Sequence, residues 1–121
     1  MKKVLVVDDD KAVRRVLAAI LAALGYEVIT AQNGLDAVDL FYSEGDQIDL
    51  VFTDLRMPIM GGYEAVDRIR KLKPAEPVIC MSSYSGEFRP AGTIFLSKPF
   101  TLEAVQNGIG QALTQARLLR V

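Results

Sequence analysis

The stretch "KVLVVDDDKAVRRVLAAILAALG", Lys3–Gly25, decides how the chain is read. It begins with a short apolar, β-branched run, Val4–Val7, which ends in three aspartates, Asp8, Asp9 and Asp10. A run of this length and composition signals a strand. The pattern changes after Lys11. Val13, Val16, Leu17, Ile20, Leu21 and Leu24 recur at helical spacing, and Gly25 follows where a helix stops. Asp10 stands where an N-cap belongs, which explains it better than a role as a ligand. A strand that passes through carboxylates into an amphipathic helix opens a βα unit. Carboxylates crowded at the end of a buried strand repel one another and lose hydration, so they call for a cation nearby.

The same alternation runs outward along the chain. "YEVITA" (26–31) is a strand, and "NG" breaks before a short helix from Leu35 to Tyr42. "IDLVFTD" (48–54) is a buried strand that again ends in an aspartate, followed by the loop "RMPIMGG" (56–62) and a helix from Tyr63 to Leu72. "PVICMS" (77–82) and "TIFLS" (93–97) are strands, and "KPF" (98–100) turns into a last helix reaching Leu119. Apolar strands without alternation predict a sheet covered on both faces. Strands alternating with helices predict right-handed crossovers and a parallel, doubly wound sheet. No linker or repeat interrupts the 121 residues, so one domain, 1–121, is expected.

Composition narrows the chemistry. Fourteen basic residues against fifteen acidic ones leave a net charge of −1, which is no footprint for nucleic acid or an anionic membrane. The apolar runs are too short to span a bilayer. "MKKVLVV" loses its apolar character at the aspartates with no cleavage site after it, so a signal peptide is rejected and a cytoplasmic protein expected. The chain has no histidine and one cysteine, Cys80. That excludes histidine-based catalysis and cysteine zinc sites, and the setting of Cys80 reads as packing.

Sites in open α/β sheets lie beyond the C-terminal strand ends. Here those ends carry Asp8 and Asp9, Asp54, Ser82 and Ser83, and Lys98. Three carboxylates without a softer donor suit Mg²⁺, with Mn²⁺ as the alternative. Lysine and serine can serve the oxygens of a phosphoryl group, and a carboxylate between a cation and a lysine can be the nucleophile toward phosphorus.

Taken in order and spacing, "VLVVDDD", "VFTDLRMPIMGG", "PVICMSS" and "FLSKPF" resemble the receiver domain of two-component response regulators, over essentially the whole chain. The resemblance implies a flavodoxin-like five-stranded sheet of order 2-1-3-4-5. It implies that Asp54 is the phosphoacceptor. Asp9 and Asp54 would bind Mg²⁺ directly, with the backbone carbonyl of Arg56, and Asp8 through water. Ser82 would be the switch hydroxyl, Ser83 a small residue with its N–H near the phosphate, Lys98 the phosphate-contacting lysine before a cis Pro99, and Phe95 the aromatic switch residue. The implied partner is a histidine kinase or histidine phosphotransfer protein, and the implied state a monomer or weak dimer. Arg56 and Tyr84 fall at the positions beside the path of hydrolytic water, where neither orients water well, so slow dephosphorylation is expected. Met57, Met60, Gly61 and Gly62 have structural readings, as packing and turn residues.

The chain also departs from the pattern. Only nine residues, "YSGEFRPAG", separate Ser83 from Thr93, and Gly86, Pro90 and Gly92 break them further. An average helix needs about 11 residues, so the helix between the fourth and fifth strands is expected to be shortened or missing. Such forms are similar to receivers attached to hybrid histidine kinases. Gly108 and Gly110 would let the last helix fray or bend. The first helix is expected to present Arg14, Arg15, Ala18, Ala19 and Ala22 to a phosphodonor. Three other readings compete with this one. A pseudo-receiver would lack part of the acid, hydroxyl and lysine set. An FMN protein would need a Ser/Thr/Gly-rich loop where the aspartates stand. An aspartyl-phosphate hydrolase would need a second acid at Arg56.

Overall fold

The structure, a computed structural model, describes residues 2–84 and 88–119. Five strands, β1 Lys3–Val7, β2 Glu27–Ala31, β3 Ile48–Asp54, β4 Val78–Ser82 and β5 Ile94–Ser97, form one parallel sheet of order β2-β1-β3-β4-β5. The helices are α1 Lys11–Ala23, α2 Gly34–Glu44, α3 Gly62–Leu72 and α4 Leu102–Leu119, with a 3-10 turn at Gly45–Gln47. This is the expected flavodoxin-like fold. Among the described residues no helix lies between β4 and β5, as the short spacing requires; Gly86 lies outside the described residues. No helix among them is long and apolar enough to cross a membrane.

Period-2 alternation on the central strands divides the core into two layers. Val4 and Val6, Leu50 and Phe52, and Ile79 and Met81 face Leu17 and Leu21 of α1 and Val105, Ile109 and Ala112 of α4. Leu5 and Val7, Val51, and Val78 and Cys80 face Ala37 and Phe41 of α2 and Val66 and Ile69 of α3. Val4 through Val7 are all fully buried, which is why β1 carries no polar residue after Lys3 on either face. Burial of such side chains contributes about 1.5–3 kcal/mol each.

Local rules account for the ends. Asp10 caps α1, accepting from the N–H groups of Ala12 at 2.9 Å and Val13 at 3.4 Å. Asn33 does the same for α2, accepting from Asp36 N–H at 2.9 Å. The helix α4 carries the two glycines at which fraying or bending was expected unless packing held it. It runs unbroken through Gly108 and Gly110, because Val105, Ile109, Ala112 and Ala116 keep a buried stripe along it.

Candidate functional site

The strand register assembles the site. Val7 pairs with Thr53 across β1 and β3, so Asp8 follows β1 at the level of Asp54. Asp54 pairs with Met81, and Ser82 with Ser97, so the hydroxyl and the lysine follow one rung further on. The Lys98 backbone N–H donates to Ser82 O at 2.9 Å, and the Lys98–Pro99 bond is cis.

Carboxylate oxygens of Asp8, Asp9 and Asp54 lie within 4.8 Å of one another. Asp8 is fully buried and Asp9 exposed, so the two acids do point differently from adjacent positions. Asp8 Oδ1 accepts from the Asp10 N–H at 2.9 Å and Oδ2 from Lys98 Nζ at 2.7 Å. Lys98 Nζ also lies 3.4 Å from Asp54 Oδ2. The ammonium thus bridges both strand-end acids, nearer Asp8. A three-carboxylate set with no nitrogen or sulfur donor fits Mg²⁺, whose ligands sit about 2.1 Å from the ion.

Electrostatics follow burial. Desolvation pushes the Asp54 carboxyl above its ordinary value; Lys98 pulls it back and the Asp8 charge adds to the rise. For Lys98 burial acts downward, but its hydrogen bond to Asp8 and the charges of Asp54 and Asp8 outweigh it, and the ammonium is raised. Both effects keep a positive charge beside an acid that the fold makes reluctant to ionise.

Ser82 is buried, and its Oγ accepts from the Tyr84 N–H at 3.0 Å, while Ser83 is exposed. Phe95 is half-buried on the edge strand. The Arg56 guanidinium carbon lies 4.8 Å from the centroid of the exposed Tyr84 ring, a cation–π contact joining the loops after β3 and β4. Met60 packs with Val38 and Ala65, and Met57 against the α2–α3 layer, as packing residues should.

Gly62 is more constrained than a turn residue. A Cβ there would fall 2.3 Å from the carbonyl oxygen of Asp54, so only glycine lets α3 start against the acid's own backbone. The φ of +72° at Ile59, an exposed β-branched residue, puts strain into the same loop.

Arg14 corrects the reading of α1. Its Nη1 donates to the Asp8 backbone carbonyl at 2.6 Å and the residue is half-buried, so it braces the turn from β1 into α1 rather than lying fully exposed on the helix face. Arg15, Ala19 and Ala22 are exposed, and Ala18 is half-buried.

Comparison with known proteins gives a consistent picture. The family described as response regulator receiver domain matches residues 4–109. The autoinducer 1 sensor kinase/phosphatase LuxN of Vibrio campbellii is 36% identical over 118 residues, which cover 93% of this chain and 14% of LuxN. The chain therefore spans only a small part of that relative. Among solved structures, the receiver domain from the hybrid histidine kinase CckA superposes with a TM-score of 0.81 at 32% identity, covering 92% of this chain and 98% of that one. The response regulator TrrA of Thermotoga maritima, solved in complex with Mg²⁺–BeF, gives 0.83 at 32% identity over 93% of this chain and 99% of that one.

Proposed function

Because the chain belongs to the response regulator receiver domains, the switch modules of two-component signalling, we propose that Asp54 accepts a phosphoryl group from a phosphohistidine donor. The observation that carries this reading is the position of Asp54, at the end of the central strand β3, between the Lys98 ammonium and the Asp8–Asp9 pair. A carboxylate oxygen of Asp54 attacks phosphorus in line, the P–N bond to the donor imidazole breaks, and the imidazole leaves with a proton from solvent. Asp9, Asp54 and the Arg56 carbonyl would hold Mg²⁺, with Asp8 acting through water. Bound there, the metal supplies charge neutralisation on the phosphoryl oxygens. Lys98 then turns from Asp8 toward the new phosphoryl group, and Ser82 donates to another of its oxygens, with the Ser83 N–H alongside. Phe95, half-buried on β5, is the residue whose packing would follow Ser82.

The donor is a histidine kinase or a histidine phosphotransfer protein, docking beside α1. An apolar groove there, formed by Ala12, Val13, Val16, Pro99 and Phe100, opens next to Ser83 and Lys98. The domain, residues 1–121, catalyses its own phosphotransfer and dephosphorylation. The Arg56–Tyr84 contact supports slow loss of the phosphoryl group, because it holds a bulky ring between the two loops that flank the path of water. The test is intact mass after incubation with Mg²⁺ and acetyl phosphate. One added phosphoryl group in the wild type and none in Asp54→Ala is expected. Phosphorylation of Asp54→Ala at the wild-type rate would place the acceptor elsewhere.

A further inference from the structure

Asp9 is the most exposed of the three acids, yet its carboxylate comes within 4.8 Å of those of Asp8 and Asp54. Among the described residues no hydrogen bond or ion pair holds that carboxylate. Mg²⁺ accepts little error, because it demands near-octahedral ligands at about 2.1 Å. The aim of Asp9 therefore has to come from its backbone.

The flanks of Asp9 are held from several sides. The Asp8 N–H donates to Ala31 O, at the end of β2, at 3.2 Å. Asp8 Oδ1 accepts from the Asp10 N–H at 2.9 Å, and Asp10 O accepts from the Arg14 N–H at 3.0 Å. None of these bonds holds the peptide group that joins Asp8 to Asp9. A peptide group is a rigid plane and turns as a unit, changing ψ of Asp8 and φ of Asp9 together. Such a turn re-aims the Asp9 side chain and leaves strand and helix where they are. Arg14 blocks it: Nη1 donates to the oxygen of this plane, Asp8 O, at 2.6 Å. The bond is short and charge-assisted. Arg14 is itself confined, half-buried and lining a small cleft with Thr30, Gln32 and Asp36.

We propose that Arg14 is a positioning residue for the metal site, which aims the Asp9 carboxylate by fixing the Asp8–Asp9 peptide. The role rests on the reading of Asp9 as a direct ligand of Mg²⁺. The charge of Arg14 pulls the other way. A guanidinium near a dication repels it, so by Coulomb forces alone removing Arg14 would tighten cation binding. Salt and the open side of the cleft screen that repulsion. Groups that orient metal ligands without touching the metal are worth about 10- to 100-fold in affinity, so geometry wins, and loss of Arg14 weakens binding.

The sign of the change is the test. Mn²⁺ suits the same oxygen donors, and the free-ion electron paramagnetic resonance signal reads its binding directly, with Mg²⁺ as competitor. Arg14→Met keeps the side-chain stem and a good helix former. Melting in EDTA checks that each variant is folded at the assay temperature. Arg14→Met is expected to bind Mn²⁺ about tenfold more weakly or worse. Arg15→Met, which removes the same charge one position on, is expected to stay within about twofold of wild type. In an Asp9→Asn background, Arg14→Met should cost less than about threefold, because the group it positions is gone. Equal or tighter binding by Arg14→Met, the same loss in Arg15→Met, or the same loss with and without Asp9 would overturn the role of Arg14 and leave the metal site standing. If the wild type binds no Mn²⁺ at millimolar concentration, or Asp9→Asn binds as tightly as wild type, the reading of Asp9 as a ligand fails, and the role of Arg14 falls with it.

Discussion

Lys98→Met keeps most of the side-chain stem and removes the ammonium that bridges Asp8 and Asp54. Asp8 has no solvent exposure, and its oxygens take one bond from the Asp10 N–H and one from Lys98. Breaking a buried ion pair by removing one partner costs about 3–5 kcal/mol. The lower end applies here, because the Asp10 amide remains and the Lys98 side chain is 15% exposed, which lets some water reach the pocket. A loss of about 3 kcal/mol corresponds to a melting temperature lower by roughly 12 °C in metal-free buffer, taking about 4 °C per kcal/mol for a domain of this size. Magnesium should restore much of it. A cation at a hundred times its Kd contributes about 2.7 kcal/mol, and it binds more tightly once no ammonium competes for the same carboxylates. The assay is thermal melting of wild type and variant, with EDTA and with saturating Mg²⁺. A variant melting within about 3 °C of wild type in EDTA, or gaining less from Mg²⁺ than wild type does, would refute the idea that Lys98 compensates this carboxylate cluster.

Three further outcomes are expected. Burial raises the Asp54 pKa above the ordinary 3.8, so the charged form is disfavoured in the folded state and stability falls as pH rises from 3.8 through the raised value. In EDTA near neutral pH, Asp54→Asn should therefore be the more stable protein by urea melting, with the advantage shrinking on acidification below 3.8; an advantage independent of pH would contradict this. Gly110 is an exposed residue inside α4 with nothing within 4 Å of an added methyl, so Gly110→Ala should stabilise by about 1 kcal/mol, read as a higher melting temperature. Phosphorylated Arg56→Asn and Tyr84→Glu should lose phosphate severalfold faster than wild type, followed by intact mass over time; unchanged or slower decay in both would remove the shielding role of the Arg56–Tyr84 contact.

Much of this was legible along the chain because the signals are local. The βα alternation, the Asp10 cap and the strand-end residues Asp8, Asp54, Ser82 and Lys98 are patterns over a few residues, and the C-terminal edge of a parallel sheet gathers such ends whatever the loops do. That the described residues between β4 and β5 form no helix followed from counting residues. Harder to see were features that depend on a partner distant in sequence. Nothing around Arg70 marks it as bonding to Ala91 and Gly92, 21 and 22 residues on. Nothing around Gly62 shows that the carbonyl of Asp54 will press against it.

The glycines of α4 and the arginine of α1 mark where the local rules stop. Gly108 and Gly110 weaken a helix in isolation, but the buried stripe of Val105, Ile109, Ala112 and Ala116 outweighs about 1 kcal/mol per glycine, so packing and not propensity decides α4. Arg14 and Arg15 are indistinguishable in a sequence reading of a polar helix face. The turn from β1 into α1 brings the Asp8 carbonyl within 2.6 Å of one of them, and a hydrogen bond that short is directional, so a single step along the helix separates a residue that braces that turn from one that faces solvent. Composition, spacing and strand ends thus establish which groups meet at the edge of the sheet. Only the three-dimensional packing assigns Lys98 to Asp8 at 2.7 Å before Asp54 at 3.4 Å, because that choice rests on side-chain reach and burial, which no pattern along the chain encodes.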